Sequence, residues 1–231
     1  MTVLHLADEG EAADLAAFLG RLLHYDRAAA VRLQAAGTTL AVFGRPPSFE
    51  VLAIRTARLA KPYGHGLDET LDVTVSAGEL LDSVDETAAT AAVPAAVTGP
   101  PWAGVLPPRG GWRPEPGLPE PDAVRTLVAA VVAEFRSRTG ELAPERRTRA
   151  ELDRIGREIW SRTIGATGLP VRAAHAAQAL GFLRPRGTGA PGGPGELGLL
   201  SSGAWLRLRT PYGSIAVRRA GLGALDVSVR R

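Results

Sequence analysis

The sequence predicts an α+β protein: an N-terminal antiparallel sheet lobe with flanking helices, a proline-rich strap, and a C-terminal three-helix lobe ending in a β-hairpin. Three observations predict it. Apolar residues alternate from Val31 to Val42, and they recur at helical spacing from Val124 to Phe135. Between these segments, nine of the 28 residues of 94–121 are proline. Alternation is typical of a half-buried strand, and i, i+3, i+4 spacing of an amphipathic helix.

The N-terminal lobe is predicted over residues 1–93. Asp8 followed by Glu11 indicates the capped start of a helix, because these two side chains can satisfy free N–H groups in the first turn. The spacing of the apolar residues then changes to two, which predicts strands. The predicted order is a helix from Asp8, a hairpin turning at Ala36-Gly37, a strand over Phe49 to Arg58, a strand over 71–75, and a short helix capped by Ser76.

Residues 94–121 are predicted to form a linker or strap. Proline cannot donate a backbone hydrogen bond, so this segment cannot sustain a helix or a central strand. It also contains Trp102 and Trp112, which a solvated linker would seldom carry. We therefore expect it to lie across the fold with one or both tryptophans buried. The alternative is an exposed proline-rich ligand for an aromatic-lined groove.

The C-terminal lobe is predicted over residues 122–231. Its first helix ends at Gly140, its second follows Pro144 and is capped by Thr148, and its third is the alanine-rich segment from Pro170 to Gly181. A hairpin follows, because Thr210-Pro211-Tyr212-Gly213 suits a type I turn with proline second and glycine fourth.

The hairpin supplies the best-defined candidate site. The four-residue turn determines which residues pair across the two strands. This register decides the composition of each face, because shifting the pairing by one residue would exchange the two faces. One face is then a hydrophobic floor that includes Leu206 and Ile215. The other face carries Trp205, Arg207, Arg209 and Arg218, which suits phosphate contact and base stacking. The structural alternative is a solvated face with a cation–π contact between Trp205 and Arg218. The predicted cross-strand pairs are Arg209 with Ser214, Arg207 with Ala216, and Trp205 with Arg218.

Three helices followed by a basic hairpin, over 122–219, resemble a winged helix-turn-helix domain in outline. The resemblance implies that helix 170–181 enters a DNA groove, with Arg172, His175 and Gln178 directed toward the bases. Two features depart from that pattern. The connection from the third helix to the hairpin is long, and the helix is so rich in alanine that both of its faces can be packed.

Charge is segregated along the chain, although the net charge is only +3. Neither lysine nor arginine occurs between Lys61 and Arg109, a stretch that holds seven acidic residues. From Leu197 to the end, six arginines accompany one acid, Asp226. Either these regions face each other within the fold or across a homodimer, or the basic end binds an acidic protein surface or nucleic acid.

Other chemistry is sparse. The chain has no cysteine, which excludes disulfides and thiolate ligands, and its four histidines are isolated from one another, so we predict neither a metal nor a cofactor. One imidazole–carboxylate group occurs, His65 with Asp68 and Glu69. No apolar run is long enough to cross a bilayer, and the N-terminus lacks the pattern of a secretory signal. We therefore expect a cytoplasmic protein without a membrane segment.

The leading hypothesis is a non-enzymatic regulatory or adaptor protein whose basic C-terminal lobe binds an acidic partner, with DNA as one such partner. A second hypothesis is an enzyme with a site between the lobes, built around His65, Asp68 and Glu69. A third is a structural protein–protein interaction module.

Overall fold

A computed structural model describes residues 2–60, 71–185 and 197–219. The described residues form five α-helices and eleven strands, so the predicted α+β class is confirmed. The helices are α1 (Glu9–Tyr25), α2 (Ala77–Asp82), α3 (Pro121–Gly140), α4 (Arg149–Trp160) and α5 (Val171–Ala179). The strands are β1 (Val3–His5), β2 (Ala30–Ala36), β3 (Thr39–Gly44), β4 (Leu52–Arg58), β5 (Leu71–Ser76), β6 (Val84–Asp85), β7 (Thr90–Ala92), β8 (Arg113–Glu115), β9 (Gly198–Ser202), β10 (Trp205–Thr210) and β11 (Gly213–Arg218).

Three helices begin at the caps that the sequence predicts. In each, the cap side chain accepts a hydrogen bond from the backbone N–H three residues further on, which satisfies one of the free donors at the helix start. The bonds run from Glu11 to Asp8 at 2.9 Å, from Glu79 to Ser76 at 3.3 Å, and from Glu151 to Thr148 at 3.3 Å.

The main sheet has eight antiparallel strands in the order β5-β2-β3-β4-β11-β10-β9-β8. Its central feature is the pairing of β4 with β11, which places Leu52 opposite Ala216 and Ile54 opposite Ser214. The C-terminal hairpin is therefore an interior part of a sheet that runs through both halves of the chain. The sequence indicated a separate two-stranded ribbon, because no local signal specifies a pairing between strands so far apart in the chain.

A second, three-stranded sheet has the order β1-β7-β6, with Val3 opposite Ala92. The sequence did not predict it. Strands of two or three residues are too short to show the period-two alternation by which a strand is recognised.

One hydrophobic core spans both halves. It fills the inner face of the main sheet, the face that the helices cover, and it joins side chains of α1, α3, α4 and α5. The alanines of α5 allow the helix to approach the sheet closely. At Gly213 the backbone lies so near the Phe182 ring that a β-carbon would stand 2.6 Å from it. The hydrophobic face that the sequence predicted for the C-terminal hairpin is part of this core, since Leu206, Leu208 and Ile215 are buried.

A smaller apolar cluster lies on the opposite, outer face of the sheet. Its buried members are Phe43, Leu52, Ile54 and Ala216. The strap, residues 94–121, covers this cluster with Trp102 and Leu106. The strap therefore protects apolar surface that the helices do not reach.

Hydrogen bonds fix the strap along its length. The Val97 N–H donates to the Thr74 carbonyl on β5 at 2.9 Å, and Arg32 donates to the Ala103 carbonyl at 2.7 Å. Further along, β8 forms the edge strand beside β9, a position where Pro114 is tolerated. The sequence predicted that one or both tryptophans of the strap would be buried, and Trp102 and Trp112 are each partly buried.

A buried guanidinium group ties the inner side of β4 to α1 and to the β10–β11 turn. Arg55 is 6% exposed. It donates to Glu11 at 2.9 Å, to Asp14 at 3.3 Å, and to the Tyr212 carbonyl at 3.0 Å. Arg184 also pairs with Asp14, and its guanidinium carbon lies 3.7 Å from the centre of the Tyr212 ring. This network therefore bonds the N-terminal half to the C-terminal half.

Replacing Arg55 by methionine should lower the free energy of unfolding by about 3 kcal/mol, because it leaves partly buried carboxylates and a carbonyl without their donor. Urea unfolding at neutral pH measures this. The control is Arg136→Met on the exposed side of α3, where we expect a change within about 0.5 kcal/mol. A loss below about 1 kcal/mol for Arg55→Met would show that the network contributes little.

Candidate anion-binding site

A pocket of about 300 Å³ opens on the outer face of the sheet, where β4 meets β11. This volume lies at the lower end of the range for small-molecule sites, roughly 300 to 1,000 Å³. We call it the Arg–Trp pocket. Its lining residues come from the β3–β4 connection, the strap, α5 and the C-terminal hairpin: Arg45, Glu50, Val51, Leu52, Trp102, Val105, Arg172, Trp205, Ala216, Val217 and Arg218.

The charge of the pocket is unbalanced. Arg45, Arg172 and Arg218 line it together with a single carboxylate, Glu50. Among residues 2–60, 71–185 and 197–219, no carboxylate forms an ion pair with any of these three arginines. Like charges held close together disfavour one another. An anion in the pocket would therefore lower the electrostatic energy of the fold.

Arg172 is the clearest unsatisfied group. Its Nε is buried and has no hydrogen-bond partner. Arg55, Arg207 and Arg219 share that feature, but each of them bonds through another nitrogen, whereas the side chain of Arg172 makes no hydrogen bond within the described part of the chain. An unmet buried donor costs about 1–3 kcal/mol. Arg172 also stands in the first turn of α5, where the helix dipole disfavours a cation.

Two indoles supply the apolar walls. Trp102 comes from the strap and Trp205 from β10, and both pack against the cluster that contains Leu52 and Ala216. The Arg218 guanidinium carbon lies 5.2 Å from the centre of the Trp205 ring. An aromatic face beside guanidinium groups suits a planar ring that carries negative charge.

The hairpin has the register that the sequence predicted, including Trp205 opposite Arg218 and Arg207 opposite Ala216. Its arginines nevertheless differ. Arg209 and Arg218 are exposed, while Arg207 is partly buried. Burial, together with the positive charge of Arg209, lowers the pKa of Arg207.

Local contacts hold Arg207 within the fold. Its Nη2 donates to the Ser214 hydroxyl at 2.9 Å, and its guanidinium carbon lies 5.6 Å from the centre of the Trp112 ring. Arg207 is absent from the lining of the Arg–Trp pocket.

The three predicted residues of the third helix are separated. Arg172 lines the Arg–Trp pocket, and Gln178 is exposed elsewhere. The His175 ring stacks on Trp160, with centroids 4.5 Å apart, and contacts the edge of Phe49 at 5.1 Å. Burial lowers the pKa of His175. His175 is therefore a packing residue, and the three side chains do not form one outward row.

The acidic and basic segments do not pair with each other in the described ranges 71–86 and 207–219. Asp72 instead bonds to Arg32 at 2.8 Å, which lowers the pKa of Asp72. Arg219 pairs with Glu115 at the strap. The predicted site around His65, Asp68 and Glu69 lies outside the described residues, as do Arg230 and Arg231.

Two features are absent from the described residues, a cluster of metal ligands and a membrane-spanning helix. In the ranges 2–60, 71–185 and 197–219, no group of three His, Asp or Glu side chains is arranged to hold a metal ion. None of the described helices combines the length and apolar character needed to cross a membrane.

Sequence reasoning missed Arg45, Glu50 and the role of Trp102. Arg45 and Trp102 also line a neighbouring pocket of about 440 Å³, beside Thr98 and Asp26. No motif marks these positions, because they approach Trp205 only through the pairing of β4 with β11. The clue that the sequence did offer was a tryptophan within a proline-rich segment.

The fold and the pocket together define an α+β protein with a basic, tryptophan-lined site on one face of its sheet. Two family models match the chain. Residues 1–104 match the family described as "Domain of unknown function (DUF8010)", and residues 107–222 match "Domain of unknown function (DUF8185)". The second match covers just over half of the chain, which therefore belongs to the DUF8185 family. No curated protein and no solved structure matches the chain.

His175 should make stability depend on pH. Its pKa is lowered in the folded state, so the unfolded chain binds a proton more readily, and stability falls as the pH drops below the ordinary value of 6.5. His175→Phe keeps an aromatic ring against Trp160 and should remove this component. Thermal unfolding of both proteins between about pH 7.5 and 5 tests it, since carboxylates titrate mainly below that window. Parallel curves for the two proteins would contradict it.

Proposed function

We propose that this protein is a non-enzymatic regulatory or adaptor protein that binds an acidic partner through the Arg–Trp pocket and the basic surface beside it. Nucleic acid is the partner whose chemistry fits best. One observation carries the proposal: Arg45, Arg172 and Arg218 line one pocket next to the indole of Trp205, and none of them pairs with a carboxylate of the described residues.

The residue types favour phosphate with a base attached. A guanidinium group presents a planar set of donors that matches phosphate oxygens, and it stays charged at all physiological pH values. Aromatic side chains stack on nucleic-acid bases of any sequence, at about 1–3 kcal/mol per base. Exposed Arg209 lies on the same face of β10 as Trp205, so it extends the basic surface beyond the pocket.

The non-enzymatic part of the proposal comes from the lining. Of the described residues that line the Arg–Trp pocket, Glu50 is the single candidate for proton transfer, and no serine, threonine, lysine or histidine accompanies it. Nucleophilic catalysis requires a nucleophile and a base within hydrogen-bond reach of each other. Binding is therefore the activity that these side chains suit. We expect the protein to act in the cytoplasm, in keeping with a chain that has no cysteine.

Single-stranded DNA should bind with a clear dependence on salt. If roughly three phosphates are neutralised, affinity should fall about 20-fold between 50 and 200 mM salt, since each contact contributes about 0.7 to the slope. Fluorescence anisotropy of a labelled oligonucleotide measures this. Arg172→Gln and Arg218→Gln should each weaken binding and reduce the slope by about 0.7.

The matched control is Arg157→Gln, an exposed arginine of α4 outside the pocket, which should leave the titration unchanged. Failure to bind at 50 mM salt would remove nucleic acid as the partner. Binding of poly-glutamate in the same assay would then assign an acidic protein surface. Equal loss of affinity in all three variants would show that the oligonucleotide does not bind specifically at the pocket.

A further inference from the structure

We infer that the Arg–Trp pocket holds one planar aromatic ring that bears a phosphate monoester, the chemistry of a nucleoside monophosphate. The inference rests on the proposed function, because it assumes that the pocket binds an anion. It goes further by stating which anion fits. The charge of the lining, its aromatic walls and its size each favour this ligand.

The charge favours a dianion. Among the described residues of the lining, three guanidinium groups and one carboxylate leave two positive charges uncompensated. A phosphate monoester carries about −1.5 to −2 at neutral pH, which balances that excess. An internal phosphodiester or a simple carboxylate carries only one negative charge and would leave the pocket cationic. A monoester is therefore the better match.

The walls favour an attached ring. Trp102 belongs to the strap and Trp205 to β10. Both nevertheless line this pocket, and both pack against the cluster of Leu52 and Ala216. Inorganic phosphate would leave these apolar surfaces in contact with water. A planar ring would cover them and stack on an indole. A volume of about 300 Å³ suits a single small molecule.

Glu50 narrows the choice of ring. A carboxylate only accepts hydrogen bonds, so it fits a ring that carries N–H donors, and it disfavours additional phosphates nearby. The backbone of Glu50 is left-handed, with φ at +52°. Glu50 adopts this conformation as the residue that ends a short helical turn, Pro47–Phe49, which fixes the position of its side chain at the pocket. An amino-substituted base with one phosphate satisfies both conditions.

The occupant would contact both halves of the chain. Arg45 and Trp102 belong to the first family match, while Arg172, Trp205 and Arg218 belong to the second. A ligand held by both groups stabilises their association, because it binds only the folded state. Bound ligand should therefore raise the temperature of unfolding in proportion to the logarithm of its concentration.

Isothermal titration of the full chain tests the ligand class. The probes are adenosine 5′-monophosphate, adenosine and inorganic phosphate. We expect the monophosphate to bind at least about tenfold more tightly than either part alone, because stacking and charged hydrogen bonds act together. Monophosphate binding no tighter than that of phosphate would overturn the aromatic part of the inference.

Variants separate the two contributions. Arg172→Gln should weaken the monophosphate and phosphate about tenfold each, because it removes a charged donor. It should not lower the unfolding temperature, since the Arg172 side chain has no hydrogen-bond partner among the described residues. Trp205→Leu should weaken the monophosphate about tenfold and leave phosphate unchanged, while Trp205→Phe keeps most of the stacking. Arg157→Gln is the control. Loss of stability in Arg172→Gln would assign that residue a structural role and overturn its part in binding.

Two sources can supply this chemistry, a free nucleotide or the phosphorylated end of a strand. Oligonucleotides of one sequence with a 5′-phosphate or a 5′-hydroxyl end distinguish them. Preference for the phosphorylated strand by about tenfold would support recognition of strand ends. Tight binding of the monophosphate with no preference between strands would support the free nucleotide. Equal binding of both strands without monophosphate binding would overturn the inference and leave the proposed function standing. No binding of any probe would overturn both.

Discussion

The pairing of β4 with β11 is the constraint on which the rest of the structure depends. It merges strands from both halves into one sheet and sets Leu52 beside Ala216. Arg55 secures the same junction from the inner face, through bonds to α1 and to the Tyr212 carbonyl. On the outer face, the junction forms the floor of the Arg–Trp pocket. Stability and the candidate site therefore arise from one strand pairing.

The described arginines fall into two groups, those that pair with a carboxylate and those that do not. This difference bears on the ligand that the pocket could bind. Many are neutralised: Arg138 bonds to Glu158 at 2.6 Å across α3 and α4, and it lowers the pKa of Glu158 to about 2. Arg32 and Arg55 likewise have carboxylate partners. An arginine-rich composition alone would not predict that those lining the Arg–Trp pocket lack a carboxylate partner among the described residues. Their lack of carboxylates is a local property, consistent with a ligand that brings its own negative charge.

The sequence predicted what depends on near neighbours. The cap at Asp8 and the hairpin register at Trp205 follow from residues a few positions apart, and both agree with the structure. It could not predict β1, which is too short to show a period, or the pocket that Arg45 shares with the hairpin, because that pocket forms only when strands distant in sequence meet. For His175 the prediction was wrong. The resemblance to a winged helix-turn-helix domain implied that its side chain points toward DNA, whereas the ring stacks on Trp160 within the fold.

The strap explains why the site needs both matched regions. Trp102 lies in a short helical turn of the strap, Pro101–Gly104, and it packs on the outer face against Phe43 and its neighbours. Residues 1–104 alone would keep Arg45 and Trp102 but would lack Trp205, the second indole of the pocket. Residues 107–222 alone would keep Arg172 and Trp205 without their opposite wall. A ligand in the pocket would therefore contact both regions, and the proposed anion binding requires the two regions together.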